Sequence, residues 1–299
     1  MVLTPVKIII SASAGSGNND TGERLAQIFQ QHQVAVDTSL AESGAELANL
    51  ARDAARGPYK TIVAAGGDGT VNSVATEVVD SGKILGVLPL GTLNHFARDL
   101  GIPFEIEAAA RTIVEGHTTE VDVAKVNDRI FLNNSSLGLY PIIVREREKR
   151  QRLGSGKWPA FVWATIQALR RYPFLDVRLR VDGEWLARTT PFVFVGNNEY
   201  VMDLFNIGAR EHLDRGVLSI YITHRTGRLR LIGLALRAVF GRLNEDKDFL
   251  ALRSNEVKIH TAHKRLRVAL DGEITVMQPP LDYQVRSRAL RVIVPKETE

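Results

Sequence analysis

Residues 61–72 hold the densest chemistry in the chain: Thr61, Ile62 and Val63, two alanines, then Gly66, Gly67, Asp68, Gly69, Thr70, Val71 and Asn72. The β-branched run reads as a strand. Val71, Val74, Ala75, Val78 and Val79 then form one apolar stripe of a helix predicted over about 71–80. Between them lies a glycine loop, whose backbone lets N–H groups approach a ligand with no Cβ in the way. A helix opening there adds unpaired N–H donors and the positive end of its dipole, a setting for phosphate. Three glycines also make an ordinary tight turn. Asp68 tips the balance toward a ligand, because a carboxylate beside phosphate calls for a cation such as Mg²⁺ between them. The loop is neither a Walker A motif, which needs Gly-Lys-Ser/Thr, nor the Gly-x-Gly-x-x-Gly dinucleotide spacing.

A second constellation lies near the end, where Val268 to Leu270 reads as a strand entering Asp271, Gly272 and Glu273. Asp-Gly after a strand usually marks a hairpin turn. Brought near Asp68, Thr92 and Asn94, it would supply a carboxylate to take a proton from an alcohol.

The elements that must position these groups change character along the chain. Strand-like Val6 to Ile10, Val34 to Asp37, Thr61 to Ala65 and Ile84 to Leu88 alternate with helical stretches at about 21–32, 42–56 and 71–80. That alternation predicts a parallel sheet covered on both faces, with ligands at the carboxyl ends of its strands. The loop from Ser11 through Gly15 and Gly17, then Thr38, the Gly66 loop and the loop holding Thr92, Asn94 and His95 are all expected on that rim. After about Val121, strands recur without long helices, apart from stretches at about 158–171 and 229–240. This predicts a mainly antiparallel second domain.

At 299 residues with 44% apolar and 24% charged residues, the chain can bury two full cores. Having no cysteine, it has no disulfide, thiolate nucleophile or Cys-based zinc site, which suits a reducing cytoplasm. The apolar run Val6 to Ile10 is too short for a signal peptide or a membrane span, and no other stretch reaches span length. The net charge of +4 favours acidic partners without choosing among them.

The ordered set of motifs resembles the diacylglycerol kinase catalytic-domain family, bacterial lipid kinases akin to sphingosine and ceramide kinases. It comprises Gly66 to Asn72, Gly91 to Arg98, Asp122 to Asn127 with Phe131 to Asn134, Val195 to Asn197, Asp271 to Glu273, and Leu290 to Pro295. The resemblance implies a nucleotide-binding α/β domain over 1–123, rejoined by a returning segment over 287–299. It implies a β-sandwich lipid domain over 124–286, and Mg²⁺-dependent transfer of the ATP γ-phosphoryl group to a lipid hydroxyl. ATP would be bound by Ser11, Ala12, Ser13, Ala14, Gly15, Thr38, Gly66, Gly67, Asp68, Gly69, Thr70, Val71, Asn72, Thr92 and Asn94. Glu273 would accept the proton with Asp271 beside it and Asp68 completing the catalytic set, and Asp68 and, through water, Asp122 would serve the metal.

Three departures from the family pattern stand out. Ser11 and Ala12 replace Asn-Pro, and His95 replaces an Asp, removing a carboxylate from the metal network. Arg215 replaces the metal-ligating carboxylate of a second-domain Asp-Asp-Gly turn. A guanidinium cannot ligate Mg²⁺, so that structural metal site is expected to be lost.

The charge run Arg145 to Arg152 reads as a solvated face, with an anionic lipid surface as its sharper alternative. The expected partner is a lipid at a membrane surface, reached from the cytoplasm by peripheral association. Nucleic acid is not expected, and no stable protein partner is implied beyond a second copy of the chain. Competing readings are an NAD kinase and a regulatory lipid- or nucleotide-binding protein without turnover.

Overall fold

A computed structural model describes residues 5–12, 19–138, 174–200, 210–223 and 249–296. The chain divides into two compact units, Met1–Val123 with Arg286–Glu299, and Ala124–Val285.

In chain order the first unit holds β1 (Val6–Ser11), α1 (Asn19–Gln31), β2 (Val36–Ala41), α2 (Gly44–Arg56), β3 (Thr61–Gly66), α3 (Asp68–Val78), β4 (Ile84–Pro89), α4 (His95–Asp99), α5 (Ile106–Glu115) and the start of β5 (His117–Val126). Its strands run parallel in the order β2-β1-β3-β4. Every residue of β1, β3 and β4 is buried, the mark of a sheet covered on both faces. Helix α1 packs with α5, and α2 with α3, giving two helical layers. Ser43 caps α2, its hydroxyl accepting the Glu46 N–H at 3.2 Å. The mixed α/β class expected from the sequence is what the fold shows. One expected strand moves: β2 runs to Ala41 because Ser39, Leu40 and Ala41 continue the ladder with Ile9, Ile10 and Ser11.

The second unit holds the end of β5, then β6 (Arg129–Phe131), β7 (Asn134–Gly138), β8 (Leu175–Val181), β9 (Glu184–Thr190), β10 (Phe192–Asn197), β11 (Leu218–Thr223), β12 (Phe249–Ser254), β13 (Glu256–Thr261), β14 (Leu266–Leu270), β15 (Glu273–Met277) and the first part of β16 (Leu281–Val294). One antiparallel sheet is ordered β12-β11-β10-β7-β14-β15. Facing it, β9, β8, β13 and β16 form an antiparallel ladder. Their inner faces share one core, including Phe131, Leu137, Val177, Leu179, Val193, Val195, Ile259, Leu281 and Tyr283. Burial drives the Tyr283 phenol up from its ordinary pKa, and its hydroxyl lies 2.9 Å from Ser135 Oγ. The last residues of β16 belong to the first unit, where Val292 pairs in parallel with Leu85 of β4.

Candidate functional site

In the first unit, register brings three of the expected segments to one rim. Ile10 pairs with Ala65, Ala65 with Leu88, and Gly66 with Pro89, so Ser11, Gly66 and Pro89 end their strands side by side. Thr38 is not among them. It pairs with Ile8 in mid-strand, three residues short of the Ser11–Ala41 pair, or about 10 Å down the sheet. Ser11 is 8% exposed, and the Ala12 N–H donates to the Ala41 carbonyl at 2.9 Å, which closes off the end of the β1–β2 ladder.

The two glycine loops are built against each other. A Cβ on Gly91 would lie 2.5 Å from the Gly67 Cα, and one on Gly66 would lie 2.3 Å from Thr70 Oγ1. Glycine at both positions is therefore set by packing. Helix α3 starts at Asp68, earlier than its apolar stripe suggests, because Gly67 serves as its N-cap and contributes no side-chain acceptor. Among the described residues no N-cap side chain serves its first-turn N–H groups, the arrangement that suits an anion. Thr92 is exposed, while Asn94 is only 6% exposed. Asn94 sits in the left-handed region at φ 48°. Its Oδ1 accepts the Gly91 N–H at 3.1 Å, and its Nδ2 donates to the Gly91 carbonyl at 2.8 Å. The Asn94 amide thus shapes the loop.

Asp68 joins the two loops, its Oδ1 accepting the Phe96 N–H of α4 at 3.2 Å. The side chain stays half-exposed, so a cation can still reach the carboxylate. Asp122 is 1% exposed, and its Oδ1 accepts the Arg288 N–H at 2.8 Å, fastening β16 where it returns to this unit. Further along, the Arg286 guanidinium spans both oxygens of Asp80 at 3.0 and 2.5 Å and holds that carboxyl below its ordinary pKa.

In the second unit, Asp271 and Gly272 form the two-residue turn between β14 and β15, both with positive φ (46° and 88°), where Leu270 pairs with Glu273. The Asp271 carboxylate accepts three backbone N–H groups: Leu132 at 2.8 Å, Asn133 at 2.8 Å and Asn134 at 3.0 Å. Its own N–H donates to the Asn134 carbonyl at 2.9 Å. Both oxygens are engaged, so Asp271 positions the turn that leads into Glu273. Glu273 stands exposed at the first position of β15, and no described residue holds its carboxylate.

Two family models match successive stretches of the chain. The model of the diacylglycerol kinase catalytic domain matches residues 5–126. The model of the YegS C-terminal NAD kinase beta sandwich-like domain matches residues 140–294, more than half of the chain. The chain belongs to the family that this YegS C-terminal domain defines, and its first part matches the diacylglycerol kinase catalytic domain. It is 27% identical to a diacylglycerol kinase of Bacillus subtilis over 288 residues, 94% of each protein. It is 27% identical to a diacylglycerol kinase of Staphylococcus aureus over 72% of this chain and 68% of that one. A crystal structure of a diacylglycerol kinase from Bacillus anthracis superimposes with a TM-score of 0.72 at 22% identity, covering 97% of this chain and 96% of the other. A second structure from that organism gives 0.78 at 24% identity, over 97% and 94%. At that identity the likeness shows the fold.

Within this family member, the structure adds residues that no motif had signalled. Arg210, 4% exposed, donates to the Leu132 carbonyl at 2.7 Å, the Asn197 carbonyl at 3.0 Å and Asn133 Oδ1 at 2.7 Å, with its guanidinium over the Tyr200 ring. It braces from one side the segment that Asp271 braces from the other. Asn198, fully buried, accepts the Arg215 N–H at 3.0 Å. Arg215 itself is exposed. A lone Arg or Asn carries no spacing signal, so only the packing identifies them. Ser13, Ala14, Gly15, the Arg145–Arg152 run and the helical stretches at 158–171 and 229–240 lie outside the described residues.

Proposed function

We propose that the chain transfers the γ-phosphoryl group of ATP to the hydroxyl of a diacylglycerol-like lipid met at a membrane surface. The observation that carries this reading is the N-terminus of α3. Its N-cap is Gly67, which offers no side-chain acceptor; it is wedged against the Gly91 loop and lies within the span that matches the diacylglycerol kinase catalytic domain.

In this mechanism the first-turn N–H groups of α3 and the backbone of the Gly66 and Gly91 loops hold the nucleotide phosphates and receive charge as the bond to the leaving oxygen lengthens. The Thr70 hydroxyl packs on Gly66 and fixes the loop's path, and Thr92, exposed on the neighbouring loop, borders the nucleotide. Asp68, partly exposed, would hold Mg²⁺ together with the nucleotide phosphates, as carboxylates commonly do for phosphate-bound magnesium. When bound, the ion neutralises phosphate charge. Asp122, buried on Arg288, holds the return of the chain. Glu273 accepts the proton of the lipid hydroxyl as that oxygen attacks phosphorus, and Asp271 keeps Glu273 at the head of β15.

The test is incubation with γ-labelled ATP, Mg²⁺ and either diacylglycerol in mixed micelles or NAD, with products resolved by mass. Label in phosphatidic acid, lost in Asp68→Ala and Glu273→Gln, supports the reading. Label in NADP instead, or nucleotide binding without turnover on any lipid, overturns it.

A further inference from the structure

The segment to which Asp271 fastens its turn, residues 132–134, has every backbone polar group engaged. Its three N–H groups go to the Asp271 carboxylate. On the other side the Leu132 carbonyl accepts from Arg210 Nη1 at 2.7 Å and from Asn197 Nδ2 at 2.9 Å. The Asn133 carbonyl accepts the Asn197 N–H at 2.9 Å, and the Asn134 carbonyl accepts the Asp271 N–H at 2.9 Å. The peptide joining Leu132 to Asn133 thus has its carbonyl on a guanidinium and its N–H on a carboxylate, a dipole held between opposite charges.

Arg210 reaches beyond that carbonyl. The same Nη1 donates to the Asn197 carbonyl at 3.0 Å, Nη2 donates to Asn133 Oδ1 at 2.7 Å, and the guanidinium carbon stands 5.6 Å from the centre of the Tyr200 ring. The Tyr200 hydroxyl in turn accepts from Asn134 Nδ2 at 3.3 Å. Arg210 is 4% exposed, and taking a cation out of water is a cost that a well-packed apolar side chain would avoid. What the guanidinium supplies is direction, because its donors form one rigid planar fork that meets acceptors on two different segments. The segment so fixed leads to Glu273 by strand pairing as well as through Asp271: Ser135 opposes Leu270, and Leu270 opposes Glu273.

We propose that Arg210 is a positioning residue for the transfer step, one that sets where the Glu273 carboxylate stands by fixing residues 132–134. This rests on the reading of Glu273 as the proton acceptor. An Arg210 that served stability alone would change how much of the chain is folded and leave the chemistry of the folded molecules as it was.

The experiment measures ATP-dependent phosphorylation of a short-chain diacylglycerol by the full chain in wild type, Arg210→Lys, Glu273→Gln and the variant carrying both changes. Lysine keeps the buried charge, but an ammonium cannot span the acceptors of the fork. In Arg210→Lys, kcat per folded molecule should fall about tenfold or more, the loss expected from a displaced reacting group, with the KM for ATP unchanged. The double variant should be no slower than Glu273→Gln, because a residue that acts through Glu273 then has nothing left to position. Arg210→Lys turning over like wild type, or losses that multiply in the double variant, overturns the proposal. If circular dichroism shows Arg210→Lys unfolded, Asn133→Ala, which frees one arm of the fork, goes through the same cycle and is judged by the same outcomes. If the wild type phosphorylates no lipid, the kinase reading fails by itself. The ¹³C resonance of the Glu273 carboxyl, assigned by its loss in Glu273→Gln, then judges the positioning: it should shift in the fork variant, and an unmoved resonance overturns the proposal.

Discussion

Replacing Asp271 by Asn removes the charge and one acceptor while leaving shape and backbone nearly untouched, since Asn tolerates φ near 46° as readily as Asp. The amide oxygen can keep the Asn133 and Asn134 N–H groups, but the amide NH₂ then faces the Leu132 N–H, donor against donor. Leu132 and Asn133 are 1% and 4% exposed, so water does not substitute. An orphaned buried N–H costs about 1–3 kcal/mol, and two bonds reduced from charged to neutral acceptors lose about 1 kcal/mol each. Half-exposure of Asp271 trims the total to about 3 kcal/mol, or roughly 6–12 °C in Tm for a unit of this size. Differential scanning calorimetry of Asp271→Asn beside Glu273→Gln reads the contrast. Asp271→Asn should melt early, whereas Glu273→Gln should melt with wild type and lose turnover by about a hundredfold or more. If Asp271→Asn melts within about 2 °C of wild type, or if Glu273→Gln destabilises as much, the division of labour within the turn is wrong.

Gly91→Ala puts a Cβ 2.5 Å from the Gly67 Cα and 2.7 Å from Asn94 Oδ1. The two loops must part, so ATP affinity by isothermal calorimetry should fall about tenfold or more, for a stability loss of about 1–3 kcal/mol; unchanged affinity would separate the Gly91 loop from the nucleotide. Tyr283 is held neutral by burial, its folded pKa lying above the ordinary 10.0. Its contribution is full below pH 10 and is lost as pH rises past that value, because the unfolded chain releases a proton that the folded one keeps, with a limit of about 1.4 kcal/mol per pH unit. Tyr283→Phe should cost about 1–2 kcal/mol at pH 7, by orphaning Ser135 Oγ, and should flatten the alkaline decline in urea midpoints; an equally steep decline would show that other groups cause it.

Strands β1, β3 and β4 were legible because each is a short, mostly apolar run between glycine and polar punctuation, and β8 because its alternation is regular. Strand β9, Glu184–Thr190, was not, since an edge strand with mostly exposed residues shows no period-two contrast. Nor was the true end of β2, where Thr38 reads as rim chemistry but is carried along by pairing with Ile8. In the candidate site, the glycines announced themselves because their spacing has few other uses. The role of a polar neighbour did not, because motif spacing cannot say whether an amide or carboxylate turns toward a ligand or back onto its own chain.

That last ambiguity has a regular resolution here. Asn94 and Asp271 both sit at positive φ, 48° and 46°, and both spend their side chains on nearby backbone. Each is followed or preceded within two residues by an exposed group that can act on a ligand: Thr92 in one loop, Glu273 in the other. A left-handed residue whose side chain is tied to the backbone fixes the direction of the chain on either side of it, which costs less than ordering the exposed group by its own contacts. The exposed group then needs no partner of its own and keeps its hydrogen-bonding capacity for what binds there. By this logic an Asn or Asp in such a turn is the positioning residue, and the chemistry falls to the unencumbered neighbour. The same division makes Asp68 the exception worth probing. With one oxygen on the Phe96 N–H and its side chain half-exposed, it joins the loops and still faces outward. Asp68→Asn should therefore keep the loop junction through its amide oxygen, and separate that role from any hold on Mg²⁺.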